Sequence, residues 1–365
     1  MLSPYAPVRI LTYAKSLDGG GVERAMIRLI SGWVEAGQKV TLVLGSSGGP
    51  HAGEIPAGVE LIELHGNQLN LMRALPGLVR RVAPDIVYCP GNHYTGMAAW
   101  LKTRLGQDCP PIVAKVSNRL DRHDQLFPVA QGYRVWLRAH PGFIDHLVAM
   151  SPAMADETVR MTGVSPDRVS VIANPPSLVP TGVPTPPLAD DYLIGIGRLT
   201  QQKRWDRAIA ALARVENRDA RLMILGEGEA RGELENQIDS MGLRDRVRLP
   251  GYSTNPRPAL TGARALVLTS DFEGVPGVLQ EALAVGTPVV ATDSSVAIRE
   301  IVAHPRLGSV VPTDDPEALV SALDHWLAPG VPRPDPVPER GADSVERYVR
   351  LFEELILDRK LSRQD

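Results

Sequence analysis

Glu273 and Glu281 flank a corner made by Gly274, Val275, Pro276 and Gly277 in the stretch DFEGVPGVLQEALAVGTPVVAT. Glycine and proline at such a corner bend the chain into a helix start, with Pro276 suited to the first turn. The backbone N–H groups left unpaired there bind anions readily. Carboxylates on the corner and about one and a half turns into the helix accept hydrogen bonds from hydroxyls, so phosphate and sugar groups together, as in a sugar nucleotide, fit this pattern. Ordinary solvated carboxylates favoured by the helix dipole fit it as well. A second pair, Arg198 and Lys203 in YLIGIGRLTQQKRWDRAIAAL, places two cations at a turn and helix start. Fixed cations of this kind neutralise the charge that grows on a departing diphosphate. A solvated basic turn is the plainer reading.

Both pairs depend on the elements that carry them. LVLTS is apolar and β-branched like a buried strand, and QEALAVGTPVV reads as a helix stopped by Gly286 and followed by a strand. YLIGI reads as a short strand, followed by a turn containing Gly195 and Gly197 and by an amphipathic helix with Ala208, Ile209 and Leu212. At the N-terminus, strand VRILTYA leads into Gly19, Gly20 and Gly21, which let the backbone approach a ligand closely, and then into a helix and the strand VTLVLG. That second strand ends without the acidic residue a dinucleotide ribose requires. Alternating strands and helices predict two parallel, doubly wound sheets.

The 365 residues, 44% of them hydrophobic, suffice for two cores. The predicted division is an N-terminal domain at 1–175, a proline-rich linker at 176–190, a second domain at 191–342, and a helix at 343–365 that crosses back to the first. A net charge of −3 gives no reason to expect nucleic acid as a partner. Cys89 and Cys109 are the only cysteines and lack metal-ligand spacing, so a reducing compartment is expected and a zinc site is not. With no long apolar run and no signal-like N-terminus, the expected location is the cytoplasm. Residues 119–146 mix Arg119, Arg122, Arg134 and Arg138 with Phe127, Tyr133, Trp136 and Phe143. This suits either peripheral contact with the cytoplasmic face of an inner membrane or a helix packed on the first sheet with a charged outer face.

The string from Glu273 to Glu281 resembles the E-x7-E signature of retaining family 4 glycosyltransferases (glycosyl transferases group 1), and GRLTQQK resembles the family's G-R-L-x-x-x-K segment. The resemblance covers nearly the whole chain, strongly over 190–312 and weakly over 50–140. It implies the GT-B fold, two Rossmann-like domains facing a cleft. By the same resemblance, Glu273 approaches the donor hexose, Glu281 holds the ribose, and Arg198 and Lys203 grip the diphosphate. Gly20 and Gly21, in a loop similar to the family's Gly-Gly-x-Glu with Glu23, lie near the donor phosphates. Gly197 and the backbone of Gly274, Val275, Pro276 and Gly277 line the donor, and Tyr252 lies near the base. Many relatives carry a histidine after the strand that here reads PIVAKVSNRL, where this chain has Ser117 and Asn118. Asn118 and the loop histidine His93 are therefore acceptor-side candidates.

The activity implied is transfer of a hexose, with retention and without metal, from a nucleoside diphosphate sugar, UDP favoured over GDP. The acceptor would be a sugar or lipid-linked glycan in surface polysaccharide or glycolipid assembly. No cofactor is implied, because the sugar nucleotide is a substrate. A GT-B-fold sugar-nucleotide 2-epimerase and a non-catalytic sugar-nucleotide-binding protein are the competing readings.

Overall fold

A computed structural model describes residues 6–17, 20–49, 52–121, 127–176, 183–189 and 191–362. Gly19, Arg122 and residues 177–182 and 190 of the expected linker therefore lie outside the described residues. The chain forms two compact units. One comprises the residues up to Pro176 together with those from Arg340, and the other runs between them through Glu339.

The first unit holds β1 (Arg9–Ala14), β2 (Lys39–Leu44), β3 (Glu60–Glu63), β4 (Ile86–Cys89), β5 (Ile112–Lys115), β6 (His146–Ala149) and β7 (Val169–Val171). They pair in the order β3-β2-β1-β4-β5-β6-β7, every pair parallel. The central strands are buried along nearly their whole length, which is why they read as apolar runs rather than alternating ones. The helix Ser344–Leu361 belongs to this unit. Its Tyr348 and Phe352 meet Trp33 of the helix Gly21–Glu35 edge to face at 5.7 and 5.4 Å between ring centres. Gly32 permits this contact, because a Cβ there would lie 2.2 Å from Cγ2 of Val345.

The second unit holds β8 (Tyr192–Ile196), β9 (Arg221–Leu225), β10 (Val247–Gly251), β11 (Ala265–Leu268), β12 (Val289–Thr292) and β13 (Gly308–Val311), ordered β10-β9-β8-β11-β12-β13 and again all parallel. One face is covered by Trp205, Ile209, Leu212, Leu323 and Trp326, and the other by Leu260, Leu279, Leu283 and Ile298. Gly195 lies within β8 and not in the following turn, because the indole of Trp205 packs where its Cβ would be, 2.5 Å from Cζ3.

In both sheets the strand order reverses beside the first strand, between β1 and β4 and between β8 and β11. Ligands of open parallel sheets bind outside the carboxyl ends of strands at such a reversal.

Candidate active site

The two charged motifs leave β8 and β11, the strands on either side of the reversal in the second sheet. After β8 the chain turns through Gly197 and Arg198 into the 3-10 turn Gln201–Lys203, and the helix Trp205–Leu212 follows. This turn is braced from below. Gly197 N donates to Leu225 O at 3.0 Å and Leu199 N to Glu227 O at 2.9 Å, both at the end of β9. The indole N–H of Trp205 donates to Arg198 O at 2.9 Å. The Arg198 side chain is exposed and makes no ion pair among the described residues.

After β11, Asp271 N donates to Gln202 O at 2.9 Å, and Gln202 Nε2 donates to Phe272 O at 2.7 Å. The Thr269 hydroxyl bridges Lys203 O and Arg204 O at 3.0 and 2.8 Å. Asp271 receives Arg207 at 2.7 Å and Arg204 at 3.4 Å, and Arg204 in its left-handed conformation also pairs with Asp206 at 2.9 Å. The two loops are thus sewn together by backbone and side-chain bonds across some seventy residues of sequence.

Their functional side chains meet directly. Lys203 Nζ lies 2.6 Å from Glu273 Oε1, and Ser270 Oγ donates to the same oxygen at 2.6 Å. Glu273 is buried, and its backbone N–H donates to Ser294 O at 2.9 Å. Gly274 O accepts from the Ser295 hydroxyl, which in turn accepts from Ala297 N. Pro276 stands just before the helix rather than in its first turn: its φ and ψ of −71° and 102° are extended, and the helix Gly277–Ala284 starts one residue later. No side chain caps that helix, and Gly277 is exposed with open space around its Cβ position. Backbone N–H groups are therefore accessible beside Glu273, with Val275 half-buried next to them, while Glu281 lies half-buried within the helix. Tyr252 stands apart, exposed after the edge strand β10, two strands from β8.

A separate cluster occupies the reversal in the first sheet. Gly20 is the N-cap of the helix begun by Gly21, and a Cβ on it would lie 2.2 Å from Glu23 Oε2. Glu23 Oε1 accepts from the Tyr94 hydroxyl at 3.1 Å and lies 3.7 Å from Nε2 of His93, whose side chain is 55% exposed. Burial pushes the Glu23 carboxyl up, but His93, its own backbone N–H and Tyr94 outweigh this and hold it below the usual range. Asn92 ties the loop after β4 to the loop after β5. Its Oδ1 accepts from Ser117 N at 2.9 Å and its Nδ2 donates to Asn118 O at 3.1 Å. The Asn118 side chain is engaged locally, accepting from Arg119 N at 3.0 Å. Beneath them Lys115 is buried against Asn174. Burial first, then Arg28, lowers its ammonium pKa to about 7, with Glu23 opposing.

The basic and aromatic run is divided. Trp136 and Phe143 pack together with ring centres 5.2 Å apart, and Arg119 lies 4.0 Å from buried Glu157. Phe127, 83% exposed, remains outside together with Val129, Arg134, Val135 and Arg138 of the helix Val129–Ala139. No helix among the described residues is long and apolar enough to cross a membrane. No group of three or more His, Cys, Asp or Glu side chains among the described residues is placed to hold a metal ion.

Sequence reasoning singled out Lys203 and Glu273 but not their pairing, and it missed Ser270, Gln202 and Ser295. Ser270 carried a weak signal as a hydroxyl three residues before Glu273, whereas Gln202 and Ser295 carried none.

Residues 190–328 match the family model described as "Glycosyl transferases group 1", and residues 19–177 the one described as "Glycosyltransferase Family 4". Among curated proteins, the N-acetylgalactosamine-N,N'-diacetylbacillosaminyl-diphospho-undecaprenol 4-alpha-N-acetylgalactosaminyltransferase of Campylobacter jejuni is 29% identical over 50% of this chain and 51% of its own. The lipopolysaccharide core biosynthesis glycosyltransferase LpsE of Rhizobium meliloti is 25% identical over 85% of this chain and 86% of its own. The chain spans about half the length, or less, of the first curated relatives it matches. Among solved structures, a Staphylococcus aureus TarM variant in complex with fondaparinux, alpha-GlcNAc-glycerol and UDP superposes with a TM-score of 0.74 at 13% identity, over 97% of this chain and 99% of that one. Anabaena HepE in complex with UDP and glucose gives 0.69 at 18%, over 98% of each chain. The two units are thus similar in turn to the Glycosyltransferase Family 4 and Glycosyl transferases group 1 models, and the chain has the GT-B fold.

Proposed function

We propose that this protein is a glycosyltransferase that moves a hexose from a nucleoside diphosphate sugar, UDP favoured, to a sugar or lipid-linked glycan acceptor in surface polysaccharide or glycolipid assembly. The observation that carries this reading is the convergence of Arg198, Lys203, Glu273 and the uncapped start of helix Gly277–Ala284 at the strand-order reversal of the second sheet. In this reading Arg198, Lys203 and the backbone at Gly197, Gly274 and Gly277 receive the diphosphate, Glu273 receives a hexose hydroxyl, and Glu281 the ribose. Tyr252, exposed after β10, is assigned to the base in the same reading. That the TarM and HepE structures contain UDP supports the choice of nucleotide.

The reaction proceeds with retention. The acceptor oxygen bonds to the anomeric carbon on the face from which the phosphate departs, and the acceptor's proton passes to a phosphate oxygen. Arg198 and Lys203 balance the charge without a metal. We assign Gly20 and Gly21 of the first unit to the donor phosphates, His93 and Asn118 of the same unit to the acceptor, and the exposed face of Phe127, Val129, Val135, Arg134 and Arg138 to peripheral membrane contact.

A thermal-shift panel of UDP-, GDP- and ADP-sugars tests the donor site. Stabilisation by one nucleotide series is expected, and no response to any series would refute the reading. Incubation with donor alone, followed by proton NMR, separates it from an epimerase, which would generate a new sugar isomer.

A further inference from the structure

Lys203 and Glu273 satisfy one another in the free protein. Their separation is 2.6 Å, both side chains are largely buried, and together they carry no net charge. The proposed donor site therefore offers a diphosphate only one uncommitted cation of its named pair, Arg198. The two partners are not equally anchored. Ser270 Oγ holds the same Glu273 oxygen at 2.6 Å, and Glu273 N is fixed to Ser294 O. Apart from that pairing, Lys203 is tied among the described residues only through its backbone, by Thr269 Oγ1 on its carbonyl and its own N–H on Thr200 O. Its side chain can change partner while Glu273 stays in place. The other carboxylate oxygen, Oε2, accepts no hydrogen bond among the described residues and is not sealed from solvent.

We propose that Glu273 competes with the nucleoside diphosphate for Lys203, so that spent nucleotide is held less tightly than the sugar-bearing donor. The inference rests on the donor site assigned above. With the hexose in place, a sugar hydroxyl donates to Oε2 and offsets the cost of turning Lys203 toward the phosphates. Once the hexose has left, the fixed carboxylate faces the diphosphate with no hydroxyl between them and draws Lys203 back. The pair then works as a release device for product, and Ser270 is the positioning residue that keeps the carboxylate where it can act.

Calorimetric titration of UDP into wild type, Glu273→Gln, Lys203→Ala and the double variant tests this. Glu273→Gln should bind UDP on the order of 10-fold more tightly than wild type, because a like charge beside the diphosphate is removed and the ammonium is freed. Lys203→Ala should bind more weakly, and the double variant should match Lys203→Ala, since the gain acts through Lys203. Unchanged or weaker binding by Glu273→Gln, as expected if Lys203 served both groups at once, overturns the inference while leaving the donor site standing. Failure of wild type to bind UDP, GDP or ADP at millimolar concentration removes the donor site itself. Thermal unfolding checks that each variant is folded, and Glu273→Ala replaces the Gln variant if it is not.

Discussion

Replacing Gly226 with alanine should disable the proposed donor site without touching any charged residue in it. Gly226 directly follows β9 beneath the turn that carries Arg198 and Lys203, and a Cβ there would stand 1.9 Å from the carbonyl oxygen of Gly197 and 2.9 Å from its carbon. Ordinary contact begins at 3.4 Å, so the two backbones must part by about 1.5 Å, more than a packed interior absorbs freely. The displaced turn would lose or stretch the bonds from Gly197 N to Leu225 O and from Leu199 N to Glu227 O. Overpacking and those bonds together cost about 2–4 kcal/mol. For a unit of this size that lowers the melting temperature by roughly 5–15 °C. Misplacing the diphosphate-binding turn by about 1 Å should weaken nucleotide binding or turnover on the order of 10²-fold.

Calorimetry with the nucleotide identified by the panel, alongside thermal unfolding, reads both effects. Gly232→Ala is the control. It lies in the helix Arg231–Ser240 with nothing within 4 Å of its Cβ position, so it should be neutral or stabilising by up to about 1 kcal/mol. A Gly226→Ala variant that melts and binds like wild type would show that the end of β9 does not brace the turn, and the reasoning would fail.

Arg198→Ala should lower kcat on the order of 10²-fold while leaving the melting temperature nearly unchanged, because the side chain is exposed and makes no ion pair among the described residues; steady-state kinetics with an identified acceptor checks this. Glu281→Ala should weaken binding of the free nucleoside diphosphate, measured by calorimetry. Burial holds His140 and His146 neutral to about pH 4, with Arg168 adding to the effect at His146. The unfolded chain protonates both near pH 6.5, so it binds more protons and stability falls as pH drops from about 6.5 to about 4, by up to roughly 3 kcal/mol for each imidazole. Urea unfolding across that range should show the decline, and His140→Leu should flatten it. The lowered Lys115 pKa acts in the same direction at higher pH: the unfolded chain binds its proton above about pH 7 while the folded chain sheds it, so the fold is more stable at pH 9 than at pH 7, and Lys115→Met should remove that gain in the same assay.

The strands and corners around the donor site were legible because each is a local pattern. LVLTS and YLIGI are continuous apolar runs, as buried parallel strands must be, and the glycines at 274 and 277 mark a chain reversal wherever it falls. Gly195 and Gly197 look alike in sequence, yet one is a strand residue making room for Trp205 and the other begins the turn. Only the packing of an indole ten residues further on distinguishes them. The pairing of Lys203 with Glu273, the Ser270 bond to the same oxygen and the approach of Gly226 to Gly197 all depend on which strands become neighbours. Strand order is a property of the assembled sheet. The same holds for Glu23, which in the sequence is only the acidic residue after a glycine corner and which is joined to Tyr94 and His93 from another loop.

Hydrogen–deuterium exchange with the nucleotide bound tests the central claim most directly. The account predicts that saturating nucleoside diphosphate slows exchange in peptides covering residues 197–204 and 271–281, where the two braced loops and the uncapped helix start supply the contacts. Protection confined to other segments, with those two unchanged while binding is demonstrably saturated, would contradict it.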